Sequence, residues 1–441
     1  MLHGTQTIGD NGNLWIGGVD TAKLAQVFGT PLYIYDTALI KEKIRTFKDA
    51  FAAYAHLDWQ VAYASKAFST VAMVQLVRDF GLSLDVVSGG ELYTALKAGF
   101  PREKIHFNGN NKSDEELALA LDAEIGAVIV DNFHELNTLE RMCSARSQEM
   151  DILLRVTPGV EAHTHEFIMT GQDDTKFGFN LDNGSAEEAV RLAVQSPHLV
   201  PKGIHCHIGS QIFEPEAFVQ AIRTVYRYAG EWKERVGFVM DVLNVGGGFG
   251  IRYTAADHPL SVKQYIDPIV AATKSASRDH GLPVPAIWIE PGRSIVGEAG
   301  TTLYTLGSSK EIPGVRKYIS VDGGMADNIR PALYQADYES VVANRASEPA
   351  DETVTVAGKC CETGDVLIKN AKVPKTSTSG DLLAVFCTGA YGYSMASHYN
   401  RLPNPAVVFV EEGEATLVVR RESYADLIRN DLPLKTLSCH E

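Results

Sequence analysis

The chain has 441 residues, 45% of them hydrophobic and 22% charged, the balance of a globular protein too long for one ordinary domain. Its 40 Lys and Arg stand against 55 Asp and Glu, a net charge of -15, which argues against a general binder of nucleic acid or anionic membrane. No apolar run reaches the roughly 20 residues that a membrane helix needs, and the start, Met1 to Gln6, has neither a basic nor an apolar signal region.

Residues near Trp15 and at Pro31–Tyr35 read as strands. Ile40, Ile44, Phe47, Phe51 and Tyr54 then step by four and three, one face of an amphipathic helix. Eight short apolar runs follow, at Val61–Ala64, Ser83–Val87, Lys104–Phe107, Ala127–Val130, Ile152–Val156, Gly203–His207, Val242–Val245 and Ala286–Ile289. Most are β-branched and nearly continuous, as expected of parallel strands buried on both faces. Between them, Ser88–Glu91, Ser113–Glu116, Asn132–Glu135 and Ser185–Glu188 each pair an N-cap residue with an acidic residue three positions on, a helix start. This alternation predicts a (β/α)8 barrel over residues 36–298, with a doubly wound open sheet as its rival.

Beyond residue 298 the texture changes. Thr301–Leu306, Lys317–Val321, Thr353–Val356, Leu382–Phe386, Val407–Val410 and Thr416–Arg420 read as strands without long helices between them, and Glu411–Glu414 as a hairpin turn. Residues 1–35 and 299–441 are therefore expected to build a second, all-β domain, a sandwich or barrel.

In a barrel of this kind, side chains just past the C-terminal ends of the strands converge on one mouth. Lys66 follows the first strand, His207 ends the sixth, Gly246-Gly247-Gly248 follows the seventh and Glu290-Pro291-Gly292-Arg293 the eighth. The glycines fail the dinucleotide pattern, because Ile251 and Tyr253 stand where glycine is required, and Cys360 after Gly358-Lys359 excludes a Walker loop. A glycine turn after a late barrel strand can still wrap a phosphate with backbone N–H groups. A tight turn accounts for one glycine more readily than for three.

His205 and His207 lie two apart on a strand and face the same way. With Cys360 or Cys361 they could form a zinc site, but no second pair has metal-ligand spacing, and no metal is expected. His163-Thr164-His165 reads as solvated loop within the long polar stretch from Gly159 to Gly184. The six cysteines, at 143, 206, 360, 361, 387 and 439, are too sparse for a disulfide framework and predict reduced thiols in the cytoplasm. Arg330, with Tyr334 four residues on, has the planar fork that clamps a carboxylate.

Taken together, Tyr63–Ala67, His205–Gln211, Gly246–Gly250 and Glu290–Arg293 closely resemble the fold-type III pyridoxal-phosphate decarboxylases. Val321–Met325, Arg330–Tyr334, Cys360–Asp365 and Gly389–Gly392 narrow the resemblance to the diaminopimelate decarboxylases, from Gly29 to Tyr391. The resemblance implies an alanine-racemase-like barrel binding pyridoxal 5'-phosphate, with Lys66, His207 and Cys361 as catalytic residues. Lys66 would hold the cofactor as a Schiff base that the substrate amine replaces. Ser210, Gly246, Gly247, Gly248, Gly292, Arg293 and Tyr391 would bind it, chiefly at the phosphate, and His207 would stack on its ring.

Glu290 would keep the pyridine nitrogen protonated, a stronger electron sink than the arginine-paired ring of the similar alanine racemases, and so favours decarboxylation over racemisation. Cys361 would reprotonate the α-carbon from the partner subunit of a homodimer. Arg293, Arg330, Tyr334 and Tyr391 would bind the substrate, the two arginines at a distal carboxylate, and Glu362 would take a distal ammonium. Ornithine decarboxylases hold a bare amine with acids, so this set implies meso-2,6-diaminopimelate as substrate, L-lysine and CO2 as products, and the last step of lysine biosynthesis. A same-fold decarboxylase of another carboxylated amino acid and an amino-acid racemase are the alternatives. Thr363 departs from the serine expected in Cys-Glu-Ser-Gly-Asp, a change of pocket fit rather than of reaction.

Overall fold

The computed structural model describes residues 2–160 and 175–434. His163, His165, most of the polar stretch after Gly159 and Cys439 lie outside the described residues. Two compact units emerge. One comprises residues 2–4, 36–300 and 387–394, the other residues 5–35, 301–386 and 395–434.

The first unit is a closed parallel barrel. Its strands are β1 (Trp59–Ala64), β2 (Ser83–Val86), β3 (Ile105–Phe107), β4 (Ala127–Val130), β5 (Met150–Thr157), β6 (Leu199–His205), β7 (Val242–Asn244) and β8 (Ala286–Ile289). Each pairs in parallel with the next, and β8 closes on β1 through Ile287–Trp59 and Ile289–Val61. The rival open sheet is thereby excluded. All eight runs of the sequence became strands, and none has an exposed residue within its strand; β2 and β4 are buried along their whole length. Ala127, Ile129, Leu153 and Val242 pack together as one buried apolar cluster, while Asp85, His106, Asn108, Arg155, His205 and Asn244 are buried polar residues of the same unit.

The helix starts are local chemistry. The side chains of Ser88, Ser113 and Asn132 accept the N–H of Glu91, Glu116 and Glu135, and Ser113 with Glu116 completes a reciprocal box. Ser185 is a correction, since it is the first helical residue and Gly184, at φ +83°, precedes it as the cap. Asn183 Oδ1 accepts the Ser185 N–H at 3.0 Å, so the turn is closed by Asn183 and no serine cap is needed. Helix Thr37–Ala52 buries Ile40, Ile44, Phe47 and Phe51 completely, one apolar face as its spacing requires. Tyr54, beyond its end, donates instead to Asp267 at 2.7 Å.

In the second unit, seven strands run in the order Val366–Val373, Glu352–Ala357, Arg316–Val321, Gly300–Ile312, Leu32–Asp36, Ala406–Glu411 and Glu414–Val419. Leu14–Ile16 lies in a small three-stranded sheet. Glu411 pairs with Glu414, and Glu412 and Gly413 at φ +51° and +84° make the two-residue turn whose twist suits a hairpin. Besides the two-residue strands Thr7–Ile8, Val19–Asp20 and Phe179–Asn180, the sequence reading missed Ser340–Val342 and Val366–Val373. The latter is an edge strand with exposed Lys369, Asn370 and Lys372, charges that protect an edge and blur its alternation.

Asp327 is buried in this unit, accepting from the Tyr304 hydroxyl and from the Gly324 N–H at 3.0 Å. Burial pushes its carboxyl up to about 7, against about 3.9 in an unfolded chain. Between those values the folded chain holds a proton that the unfolded chain has lost. Stability from this group is therefore greatest below about pH 4 and is lost as pH rises to about 7, by roughly 4 kcal/mol in all. Asp327→Asn should remove that slope. Urea unfolding midpoints of both proteins at pH 5 and pH 8 measure it, and parallel pH dependences would refute it.

Candidate active site

The barrel's C-terminal mouth holds a cleft with an empty volume of about 400 Å³, lined by Lys66, His207, Ser210, Gly247, Gly248, Glu290, Gly292, Arg293 and Tyr391 among others. Of the barrel-mouth residues singled out in the sequence, Gly246 and Pro291 do not line it, and Gly246 supports the turn from behind. Its N–H donates to Asn244 Oδ1 at 2.9 Å and its carbonyl accepts the Glu290 N–H at 2.9 Å.

Lys66 sits on the short turn Ser65–Ala67 that ends β1. The turn is held from two sides. Ser65 Oγ donates to Glu91 Oε2 at 2.6 Å, and the Ala67 carbonyl accepts the Tyr391 N–H at 2.9 Å. Opposite, the glycine turn follows β7, and no larger residue fits there. A Cβ at Gly247 would meet the Glu290 carbonyl at 2.1 Å, and one at Gly248, φ +97°, the Gly209 carbonyl at 2.3 Å. These two positions are glycine because backbone meets backbone. The Gly247 N–H donates to His207 Nδ1 at 3.2 Å, orienting the imidazole. Burial, with Lys66, Arg155 and His205 nearby, pushes His207 well below the usual histidine range, so its ring is neutral at pH 7.

Glu290, buried after β8, is the electrostatic centre. Its Oε1 accepts from Asn244 Nδ2 at 2.7 Å and Asn108 Nδ2 at 3.2 Å, and its Oε2 lies 2.9 Å from His205 Nε2. Burial would raise its carboxyl, yet His205, Lys66 and Asn244 together hold it well below the usual carboxylate range. Asp85, on β2, goes the other way. Burial and the Glu290 charge raise it well above that range, though Lys66 and the 2.6 Å bond from Asn108 act against them. The pair is thus pushed apart, Glu290 toward its ionised form and Asp85 toward its protonated form.

Arg293 is buried, donating from Nε and Nη2 to Ser210 Oγ at 3.3 and 3.0 Å and from Nη1 to the Tyr253 hydroxyl. Its guanidinium also stacks 4.8 Å from the Tyr391 ring centre. The sequence reading missed Asp85, Asn108, Asn244 and Tyr253. The signal available for three of them was a polar residue inside or just after an apolar run. His205 was noticed only as a metal ligand, and here its Nε2 is on Glu290.

Arg330, Tyr334, Cys361 and Glu362 belong to the second unit. Arg330 is buried and donates to the Tyr338 hydroxyl at 2.5 Å, while Tyr334 ends the short helix Arg330–Tyr334. Cys361 and Glu362 are exposed on a turn built by Asp365, which accepts from the Cys360 and Met325 N–H groups at 2.8 and 2.7 Å.

The chain is similar to known proteins over nearly its whole length. Residues 37–297 match the family model of the pyridoxal-dependent decarboxylases, pyridoxal binding domain. The chain is 60% identical to the diaminopimelate decarboxylase of Bacillus subtilis (strain 168) over 99% of both chains, and 48% identical to that of Staphylococcus aureus (strain COL) over 96% of this chain and 98% of the relative. The crystal structure of diaminopimelate decarboxylase from M. jannaschii in complex with L-lysine superimposes with a TM-score of 0.92 at 36% identity, covering 98% of this chain and 99% of that one.

The cleft suits a pyridoxal phosphate. It offers an amine at Lys66, an ionised carboxylate at Glu290 with three donors behind it, and a glycine wall that a Cβ would fill.

Proposed function

We infer, because the chain belongs to the pyridoxal-dependent decarboxylases and within them to the diaminopimelate decarboxylases, that it converts meso-2,6-diaminopimelate to L-lysine and CO2, the last step of lysine biosynthesis. The observation that carries the reading is the ionised Glu290, held by three hydrogen bonds at the wall of a cleft that also presents Lys66.

Pyridoxal phosphate, when bound, supplies an electron sink conjugated to the substrate's α-carbon. Lys66 is the residue that would anchor it, giving way to the substrate's amine. Glu290 would offer its charge to a ring N–H, and Asp85, raised by burial and by the Glu290 charge, would compete less for that proton. Ser210, Arg293, Tyr391 and the Gly247–Gly248 backbone would hold the phosphate, with Gly246 keeping the turn in place and Gly292 leaving room against Ala64, which a Cβ there would meet at 3.0 Å. Neutral His207, oriented by Gly247, would lie against the ring.

Arg330 and Tyr334, with Arg293 and Tyr391, would recognise the substrate, the two guanidiniums at the distal carboxylate. A substrate without that carboxylate would be rejected, because the charge of the two buried guanidiniums would go uncompensated. Cys361, an exposed thiol, would deliver the proton to the α-carbon, and Glu362 would bind the distal ammonium. Both would come from the partner subunit of a cytoplasmic homodimer. Their exposure on one turn supports that assignment. Mixing Lys66→Ala with Cys361→Ala subunits should restore one working site per mixed dimer, and mixtures as inactive as the parents would argue against a shared site.

The reaction itself is tested by incubating the holoenzyme with meso-diaminopimelate in heavy water. L-lysine with one new deuterium, at the carbon that lost CO2, is expected. Stereoisomers of diaminopimelate without lysine would overturn decarboxylation in favour of racemisation. Unchanged substrate would point to another carboxylated amino acid.

A further inference from the structure

A buried thiol joins the first residues of the chain to the segment that carries Tyr391, and all the residues concerned lie in the first unit. Cys387 is fully buried. Its Sγ lies 3.4 Å from His3 Nε2 and donates to the Arg252 carbonyl at 3.2 Å. On the other side of the imidazole, His3 Nδ1 is 3.6 Å from Glu298 Oε1, and Glu298 Oε2 is 2.5 Å from Lys43 Nζ. Burial would raise the Glu298 carboxyl, but His3 and Lys43 hold it down at about 2, so a fixed negative charge orients the histidine ring.

From Arg252 and from Cys387 the backbone runs on toward the cleft. Arg252 directly precedes Tyr253, whose hydroxyl accepts from Arg293. Four residues beyond Cys387, Tyr391 lines the cleft and its N–H donates to Ala67. The segment between has little slack. Cys387 and Tyr391 stand at φ +57° and +60°, a region costly for residues with side chains. A Cβ at Gly389 would meet the Val296 carbonyl at 1.9 Å. Movement at Cys387 therefore passes along the backbone to Tyr391.

We propose that His3, acting through Cys387, is a positioning residue for Tyr391, so that docking of the N-terminal residues and occupation of the cofactor cleft are linked. The inference rests on the reading that Tyr391 faces the cofactor phosphate. Linkage is reciprocal. Losing the His3 bond loosens the cofactor, and the cofactor in turn tightens the cover over Cys387.

Two measurements on the full chain test it. First, peptide mass spectrometry follows the rate at which N-ethylmaleimide, which adds a thiol across its double bond, labels Cys387 with and without pyridoxal phosphate. Labelling should slow about fivefold or more in the holoenzyme. Second, cofactor release is timed by absorbance for the wild type, His3→Ala, His3→Gln and Tyr391→Ala. His3→Ala should release faster by a similar factor, while His3→Gln, which keeps a donor for Sγ, should recover much of the wild-type rate. Equal labelling in both forms, or wild-type release from His3→Ala, overturns the proposal, and the wild-type labelling experiment does not depend on any variant folding. If Tyr391→Ala nonetheless speeds release, the reading of Tyr391 survives the failure. If it does not, that reading falls, and the proposal with it.

Discussion

Replacing Lys66 by Ala is expected to abolish turnover, by roughly 10^3-fold or more, the scale lost with a residue that makes a covalent bond to the reacting system. It should also remove the visible absorbance that the bound cofactor owes to its lysine. The fold should be untouched. Lys66 is an exposed side chain on the turn Ser65–Ala67, and the bonds that hold that turn run through Ser65, Ala67 and Tyr391 rather than through its amine. The check is steady-state kinetics beside an absorbance spectrum and a melting curve. A variant that keeps both its spectrum and its turnover would move the anchor to another residue.

The second large effect belongs to Glu290→Gln, which removes the charge without changing the size of the side chain. The carboxylate accepts from Asn108, Asn244 and His205. A glutamine can satisfy only part of that set. With its oxygen toward the asparagines, its NH2 faces His205 Nε2, and when flipped it faces both asparagine amides. His205 can answer only by moving its proton to Nδ1, which is buried with no hydrogen-bond partner among the described residues. One donor left unpaired costs about 1–3 kcal/mol, so the melting temperature should fall. The loss of a preorganised charge should lower kcat on the order of 10^2-fold. If kcat changes by no more than a small factor, the Glu290 charge is not what the reaction uses.

These two residues also show how much of the site was legible. Lys66 stands two residues past β1 and Glu290 directly after β8, and position relative to strand ends is a local property that a few neighbouring residues reveal. The glycine turn was legible for the same reason, since Gly247 and Gly248 are fixed by close backbone approach. The partners of Glu290 were not. Asn108 follows β3, His205 lies on β6 and Asn244 on β7, and nothing in their own neighbourhoods announces a shared carboxylate. Nor could spacing show that Arg293 is tied to Ser210 and Tyr253, or that Cys387 meets His3 from the other end of the chain. The same limit explains Val366–Val373, where edge charges interrupt the pattern that a buried strand would keep.

By itself, the sequence determined the closed barrel, its eight strands in order, the second β-rich unit and the family, because strand burial and motif order are written within short stretches of chain. What only the tertiary structure decided is how the acids of the cleft divide their protons. Asp85 and Glu290 are both buried carboxyls. The first is pushed toward its protonated form and the second toward its ionised form, because His205, Lys66 and Asn244 outweigh burial on Glu290, while on Asp85 burial and the Glu290 charge prevail. Ionisation sums charges and desolvation over every group within a few ångströms, and here those groups come from parts of the chain that only the fold brings together.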